Sequence, residues 1–146
     1  LRDAQWPGRM QRLTAGRWPE LASQAELWLD GGHNPHAGRA LAATLAGLPK
    51  RPTYFICGML QTKDAQGYLQ ELAPFSDGLI ALSIPGQDAT LSAERTAELA
   101  RQAGHKAKDA PSLEDAITAI TSQVPSARIV ICGSLYFAGE VLRQNG

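Results

Sequence analysis

Seven consecutive residues carry the densest chemistry in the chain: Asp30, Gly31, Gly32, His33, Asn34, Pro35 and His36. They lie between an apolar run, Leu27, Trp28 and Leu29, and an alanine- and leucine-rich stretch with helical spacing. A strand is predicted to end at Asp30 and a helix to begin near Pro35. Gly31 and Gly32 can take positive φ and let a ligand approach the backbone. Asn34 can cap the helix, and Pro35 suits its first turn, where a missing N–H costs nothing. A helix N-terminus flanked by an acid and two histidines suits an anion or a nucleotide. Asp30 can accept from both hydroxyls of a ribose; it can equally close a turn on its own backbone. His33 can donate to phosphate or bond backbone, and His36 is expected at the surface. On local chemistry alone, a well-capped corner with nothing bound stands as the alternative.

Three further positions could serve an anionic substrate. Arg9 follows Gly8, which lets the backbone bend, and a guanidinium grips phosphate through paired hydrogen bonds. Lys63 could neutralise an anion; beside it, Asp64 reads as a helix cap. Ser134, after Gly133 at a helix start, could hold a carboxylate with its hydroxyl and neighbouring N–H groups, or be a plain N-cap. His105 is expected to be exposed, Tyr136 and Phe137 to be core or rim, and Trp6, Trp18 and Trp28 to be packing or domain-contact groups. Several signatures are missing. The chain has no G-x-x-x-x-G-K-[ST] loop, no G-x-G-x-x-G after a strand, no G-x-S-x-G and no Cys/His set with zinc spacing.

The elements that must position these groups follow from periodicity and punctuation. Strands are predicted at residues 8–13 (a short edge strand), 25–30, 53–58, 78–84, about 106–108 and 128–132. Helices are predicted at 35–48, 65–73 behind Asp64, from Ser92 to about 103 with Gly104 as stop, from Ser112 to about 123, and 135–143. Residues 18–20 read as a turn, and residues 1–7 as an incoming linker to a domain spanning 8–146. Alternating strands and helices imply an α/β fold: a Rossmann-like, doubly wound, mostly parallel sheet of about six strands flanked by helices. Ligands of such sheets bind beyond the carboxyl ends of the strands. Those ends carry Asp30 to His33, Gly58 to Leu60, Pro85-Gly86 and Gly133-Ser134.

Composition narrows the class. A chain of 146 residues fits one domain with a real core. Fourteen basic and fourteen acidic residues cancel, so no net field favours nucleic acid or an anionic membrane. No apolar stretch approaches the ~20 residues of a membrane span, and no signal-peptide pattern is present. Cys57 and Cys132 sit in apolar strand-like runs and are expected as buried free thiols, which suits the cytoplasm.

Four stretches, in order, carry a family likeness. Pro7-Gly8-Arg9-Met10-Gln11 is similar to a P-G-R-x-Q segment. Asp30 to Ala37 resembles D-x-A-H-N-P-x-A, with Gly32 where alanine is usual. Gly58-Met59-Leu60 with Lys63-Asp64 resembles G-M-L-x-x-K-D, where the cell-wall branch tends to G-D-R-D. Cys132-Gly133-Ser134-Leu135-Tyr136 resembles C-G-S-L/F-Y/H. Together they resemble the C-terminal domain of the folylpolyglutamate synthase/dihydrofolate synthase family, within the Mur ligase superfamily.

The resemblance implies part of an ATP-dependent ligase that adds L-glutamate to dihydropteroate or folate through an acyl phosphate. By it, Arg9, Asp30 and His33 would bind ATP, while Ser134 and Lys63 would lie on the glutamate side. The phosphate loop and the Mg2+ ligands would belong to an N-terminal ATPase domain, so this chain alone is expected to hold no catalytic residue and to be inactive. A stand-alone nucleotide-binding or interaction module, and the equivalent domain of a cell-wall peptide ligase, are the competing expectations.

Overall fold

The computed structural model describes residues 10–146, so Arg9 and the linker read at residues 1–7 lie outside the described residues. Among the described residues six strands and six α-helices alternate: β1 (Gln11–Leu13), α1 (Arg17–Ala22), β2 (Glu26–Leu29), α2 (Pro35–Ala46), β3 (Thr53–Gly58), α3 (Ala65–Leu72), β4 (Gly78–Leu82), α4 (Ala93–Ala103), β5 (Ala107–Asp109), α5 (Leu113–Gln123), β6 (Arg128–Cys132) and α6 (Leu135–Gln144), with a 3-10 turn at Ala73–Phe75 after α3. They build a six-stranded sheet in the order β1-β2-β6-β3-β4-β5. Among the described strands of this sheet, β1 and β2 pair antiparallel and the other neighbours run parallel. The expected α/β architecture is therefore present.

Burial on both faces explains the uninterrupted apolar strands. Every residue of β4 and β6 is buried. On one face Ile56, Ile80, Leu27, Leu29, Ile129 and Ile131 pack under α1, α5 and α6. On the other, Phe55, Cys57, Leu79, Ala81, Val130 and Cys132 pack under α2, α3 and α4. The helix starts follow local cap chemistry. Asn34, Ser92 and Ser112 accept from the N–H groups of Ala37, Arg95 and Asp115. Gly104 stops α4 in the left-handed conformation at φ 110°.

Four local expectations need correction. Residues 18–20 form no turn but lie inside α1, because Trp18 is driven under α6, where its indole N–H donates to the Val141 carbonyl at 3.0 Å. Asp64 occupies the position before α3 but caps nothing. Its backbone is already near-helical (φ −93°, ψ −1°), which turns the carboxylate away from the N–H groups it would have to meet. Gly31 and Gly32 do not take positive φ. Finally, His105 is buried, not exposed, at 5% accessibility. Its Nε2 lies 2.8 Å from the Leu69 carbonyl and its Nδ1 2.8 Å from the Ser76 hydroxyl. A carbonyl only accepts, so the neutral ring carries its proton on Nε2 and receives the serine hydroxyl at Nδ1. Burial lowers its pKa from the ordinary 6.5, against the Leu69 hydrogen bond, which favours the charged form.

At the amino ends of the strands, Glu26 ties the sheet to its loops. It accepts from Trp28 Nε1 at 3.0 Å, Arg128 Nε at 3.1 Å and Arg51 at 2.7 Å. Burial alone would raise its pKa, but the Trp28 and Arg128 hydrogen bonds and the two guanidinium charges together hold it below the ordinary value.

Candidate functional site

The chain leaves β2 toward α2 on one face of the sheet and leaves β6 toward α6 on the other. These two strands are neighbours, so a crevice opens beyond their carboxyl ends, where doubly wound sheets bind ligands. Asp30 stands on one side and Gly133-Ser134 on the other.

Asp30 continues the sheet by one hydrogen bond, its N–H donating to the Ile131 carbonyl at 2.9 Å. Its side chain is folded back, and Oδ2 accepts from the Gly32 N–H at 3.0 Å. Among the described residues no donor meets Oδ1. The residue is 5% accessible. Burial raises the carboxyl pKa from its ordinary 3.8, only partly offset by the Gly32 hydrogen bond. A buried acid held by one N–H, with its other oxygen at a strand end, has the chemistry to accept from a hydroxyl. Gly32 serves space here: a Cβ on it would sit 2.6 Å from the Ala37 Cβ and 3.1 Å from Asp30 Oδ2. The glycine thus lets α2 press against the turn that holds Asp30.

Ser134 is buried, and its hydroxyl accepts from the Tyr136 N–H at 3.0 Å, so it serves as the N-cap of α6. Its hydroxyl can still donate, and α6 begins at this same edge with its first N–H groups outside the helical ladder. Gly133 takes φ 112°, and a Cβ there would lie 2.6 Å from the Gly58 carbonyl oxygen and 2.8 Å from Cys57 Sγ. This close approach brings the β6 turn against the β3 turn. His33 is exposed at the start of α2, His36 is exposed as expected, and Lys63 is exposed in the loop between β3 and α3. The fold therefore gathers Asp30, His33, Lys63 and Ser134 on one edge of the sheet.

Sequence reading missed two features of this edge. Leu135 and Tyr136 are 44% and 58% exposed beside Ser134, while Phe137, grouped with Tyr136 at first sight, is buried. The C-G-S-L-Y run was legible, but not which of its aromatics faces outward. Beneath the turns, Cys57 and Cys132 are register partners on β3 and β6 and are free thiols, as expected. The buried Tyr68 hydroxyl has no hydrogen-bond partner among the described residues. Burial, then the thiols and Asp30, push the Tyr68 phenol well up. The neighbouring Cys57 thiol and burial push the Cys132 thiol up, so both stay protonated. Among the described residues no three His, Cys, Asp or Glu side chains could hold a metal ion, and no helix is long and apolar enough to cross a membrane.

Comparison with known proteins gives one consistent picture. The family described as Mur ligase, glutamate ligase domain, matches residues 8–135. The folylpolyglutamate synthase of Lacticaseibacillus casei is 28% identical over 148 residues, covering 96% of this chain and 33% of the relative. A dihydrofolate synthase/folylpolyglutamate synthase of Mycobacterium tuberculosis is 31% identical over 156 residues, covering 94% and 31% respectively. Among solved structures, the M. tuberculosis folylpolyglutamate synthase complexed with ADP and AMPPCP superposes with a TM-score of 0.82 at 30% identity, over 97% of this chain and 32% of that one. The chain spans about a third of the length of these relatives.

Proposed function

The chain belongs to the glutamate ligase domain family of the Mur ligases, and on that premise we propose that it is the C-terminal domain of an ATP-dependent folylpolyglutamate synthase/dihydrofolate synthase. The observation that carries this reading is the buried Asp30 carboxylate, held by one N–H and offering its second oxygen at the crevice between β2 and β6. In this reading Asp30 accepts from the ribose hydroxyls of ATP, and His33 donates to the nucleotide from the start of α2. Arg9, outside the described residues, contacts the phosphates. Ser134 and Lys63 face the glutamate side, where a hydroxyl and an ammonium suit the carboxylates of L-glutamate. The G-M-L-x-x-K-D form of residues 58–64 favours a folate or dihydropteroate acceptor over a cell-wall peptide.

ATP supplies the phosphoryl group that activates the acceptor's carboxylate for attack by the glutamate amine. This chain contributes positioning and charge neutralisation, which dominate phosphoryl transfer. By the family resemblance, the Mg2+ ligands are assigned to an ATPase domain of the same enzyme, and no step is routed through the metal here. Closure of the two domains over ATP would complete the site. The setting is the cytoplasm, where ATP, L-glutamate and reduced thiols coexist.

The test is an amide NMR titration of the chain with magnesium-ATP and then L-glutamate. Shifts should concentrate at residues 31–34 and 133–134. In the ligase carrying its ATPase domain, Arg9→Ala and Asp30→Ala should raise the ATP requirement or lower turnover without unfolding. Silence in the titration together with normal ATP kinetics in both variants would overturn the assignment.

A further inference from the structure

A cavity lies at the opposite end of the sheet from the Asp30 crevice. It has a volume of about 560 Å³ and opens between α5 and the amino ends of β4 and β5. That size falls within the usual range for small-molecule sites, roughly 300–1,000 Å³. The sheet and α5 give it an apolar floor: the Tyr54 ring, Ile80 and Ile120. Ile80 and Ile120 are each 4% accessible, so the floor belongs to the core and is not a mobile surface. Gly78 makes room for the aromatic part of that floor. A Cβ on it would lie 2.8 Å from the Tyr54 ring, so the ring lies across the glycine.

The rim carries the opposite chemistry. Lys106, just before β5, and Lys108, within it, line the cavity and are exposed. They alternate with Ala107, which packs into the α3 and α4 core, so both lysines project on the α5 side. Neither forms an ion pair with a described residue. Arg101 adds a third cation, its Nε donating to the Ala107 carbonyl at 3.0 Å. The acid on the lining, Asp77, is engaged: its Oδ2 accepts from the Thr53 N–H at 2.8 Å. Three cations against one acid leave the mouth positive over an apolar floor. A small-molecule site takes its specificity from a few polar groups placed on such a lining.

We propose that this cavity is a second small-molecule site, distinct from the Asp30 crevice, for an organic anion with a flat apolar body and one carboxylate. The apolar body lies on Tyr54, Ile80 and Ile120, and the carboxylate meets Lys106 and Lys108 through charge-assisted hydrogen bonds. The ligand approaches from the face of the molecule away from the ligase edge, so occupancy need not compete with nucleotide.

The probe is 2-naphthoate, titrated into the ¹⁵N-labelled chain, with 2-naphthalenemethanol as its neutral counterpart. Saturable shifts are expected at Gly78, Ile80, Lys106, Lys108 and Ile120, with residues 30–34 and 133–134 unmoved. The double variant Lys106→Met/Lys108→Met changes only exposed side chains and should weaken naphthoate roughly tenfold or more, as loss of charge-assisted bonds requires. The same variant should leave the neutral alcohol unaffected. No saturation up to about 5 mM, the scale of the weakest useful affinities, would overturn the proposal. So would equal affinity for the alcohol, or shifts confined to the Asp30 edge.

Discussion

Replacing Asp30 by asparagine separates what this residue does for the fold from what it does for a ligand. The two side chains have the same shape. Asparagine keeps one carbonyl oxygen, which can still accept from the Gly32 N–H that Oδ2 now receives at 3.0 Å. Its amide nitrogen takes the place of Oδ1 and can only donate. Burial raises the Asp30 carboxyl pKa, so the folded protein binds its proton more tightly than the unfolded chain does. With that sign, the residue favours the fold most below its ordinary 3.8, and the advantage is lost as pH rises through the raised folded value. At pH 7 the ionised carboxylate is therefore a standing cost, and Asp30→Asn removes it. The melting temperature at pH 7 should hold or rise. A gain of about 1 kcal/mol would appear as roughly 2–4 °C in a domain of this size. Nucleotide affinity should move the other way. Losing a hydrogen bond from a ribose hydroxyl to a charged acceptor costs about 1.5–3 kcal/mol, or roughly 10- to 150-fold. Calorimetric melting of the chain gives the first number, and the ATP dependence of the ligase carrying its ATPase domain gives the second. A melting temperature lowered by several degrees would refute the buried-charge argument. Unchanged ATP dependence in a folded variant would refute the ribose role.

Three other perturbations test the frame around the site. Gly133→Ala should lower stability by at least about 2 kcal/mol, since it forces a left-handed residue and drives a methyl into the Gly58 carbonyl. Gly139→Ala, in an open position of α6, is the control and should hold or gain up to about 1 kcal/mol in a urea titration. Equal effects would show that the β3–β6 turn contact is not rigid. Glu26→Ala should cost about 3 kcal/mol, because the Arg128 side chain, only 4% accessible, is left with its charge unpaired. Denaturation midpoints report this, and a loss within about 0.5 kcal/mol, the range of ordinary surface changes, would mean water already serves that guanidinium. The lowered pKa of His105 gives stability that is complete above 6.5 and lost as pH falls from there through the folded value. Wild-type protein should therefore lose stability on moderate acidification. His105→Gln, which retains a donor for the Leu69 carbonyl, should flatten that slope, and an unchanged slope would assign the proton uptake to another group.

Much of this molecule is written locally. Element type and order follow from short-range physics: apolar periodicity, the side-chain oxygens of Asn34, Ser92 and Ser112 reaching N–H groups three residues on, and the left-handed Gly104. Asp30, His33, Lys63 and Ser134 were legible as candidate site residues because each follows a predicted strand, and a parallel sheet puts all such ends on one edge. The element bounds agree less closely, with α2 ending at Ala46 and β4 at Leu82, because end residues are held by few bonds.

What the sequence by itself determined, then, is the alternation of strands and helices, the caps and the chemical character of one sheet edge. Only the tertiary structure decided the strand order, which inserts the last strand, β6, between β2 and β3 and so sets Ser134 beside Asp30. It also decided that Trp18 belongs to a helix and not a turn, that His105 is interior, and that Gly32 is needed for packing and not for its φ. The strand order and the burial of Trp18 and His105 depend on partners far along the chain, such as Val141 for Trp18 and Leu69 for His105. Burial and pairing are sums over such distant neighbours, and no local window of sequence contains them.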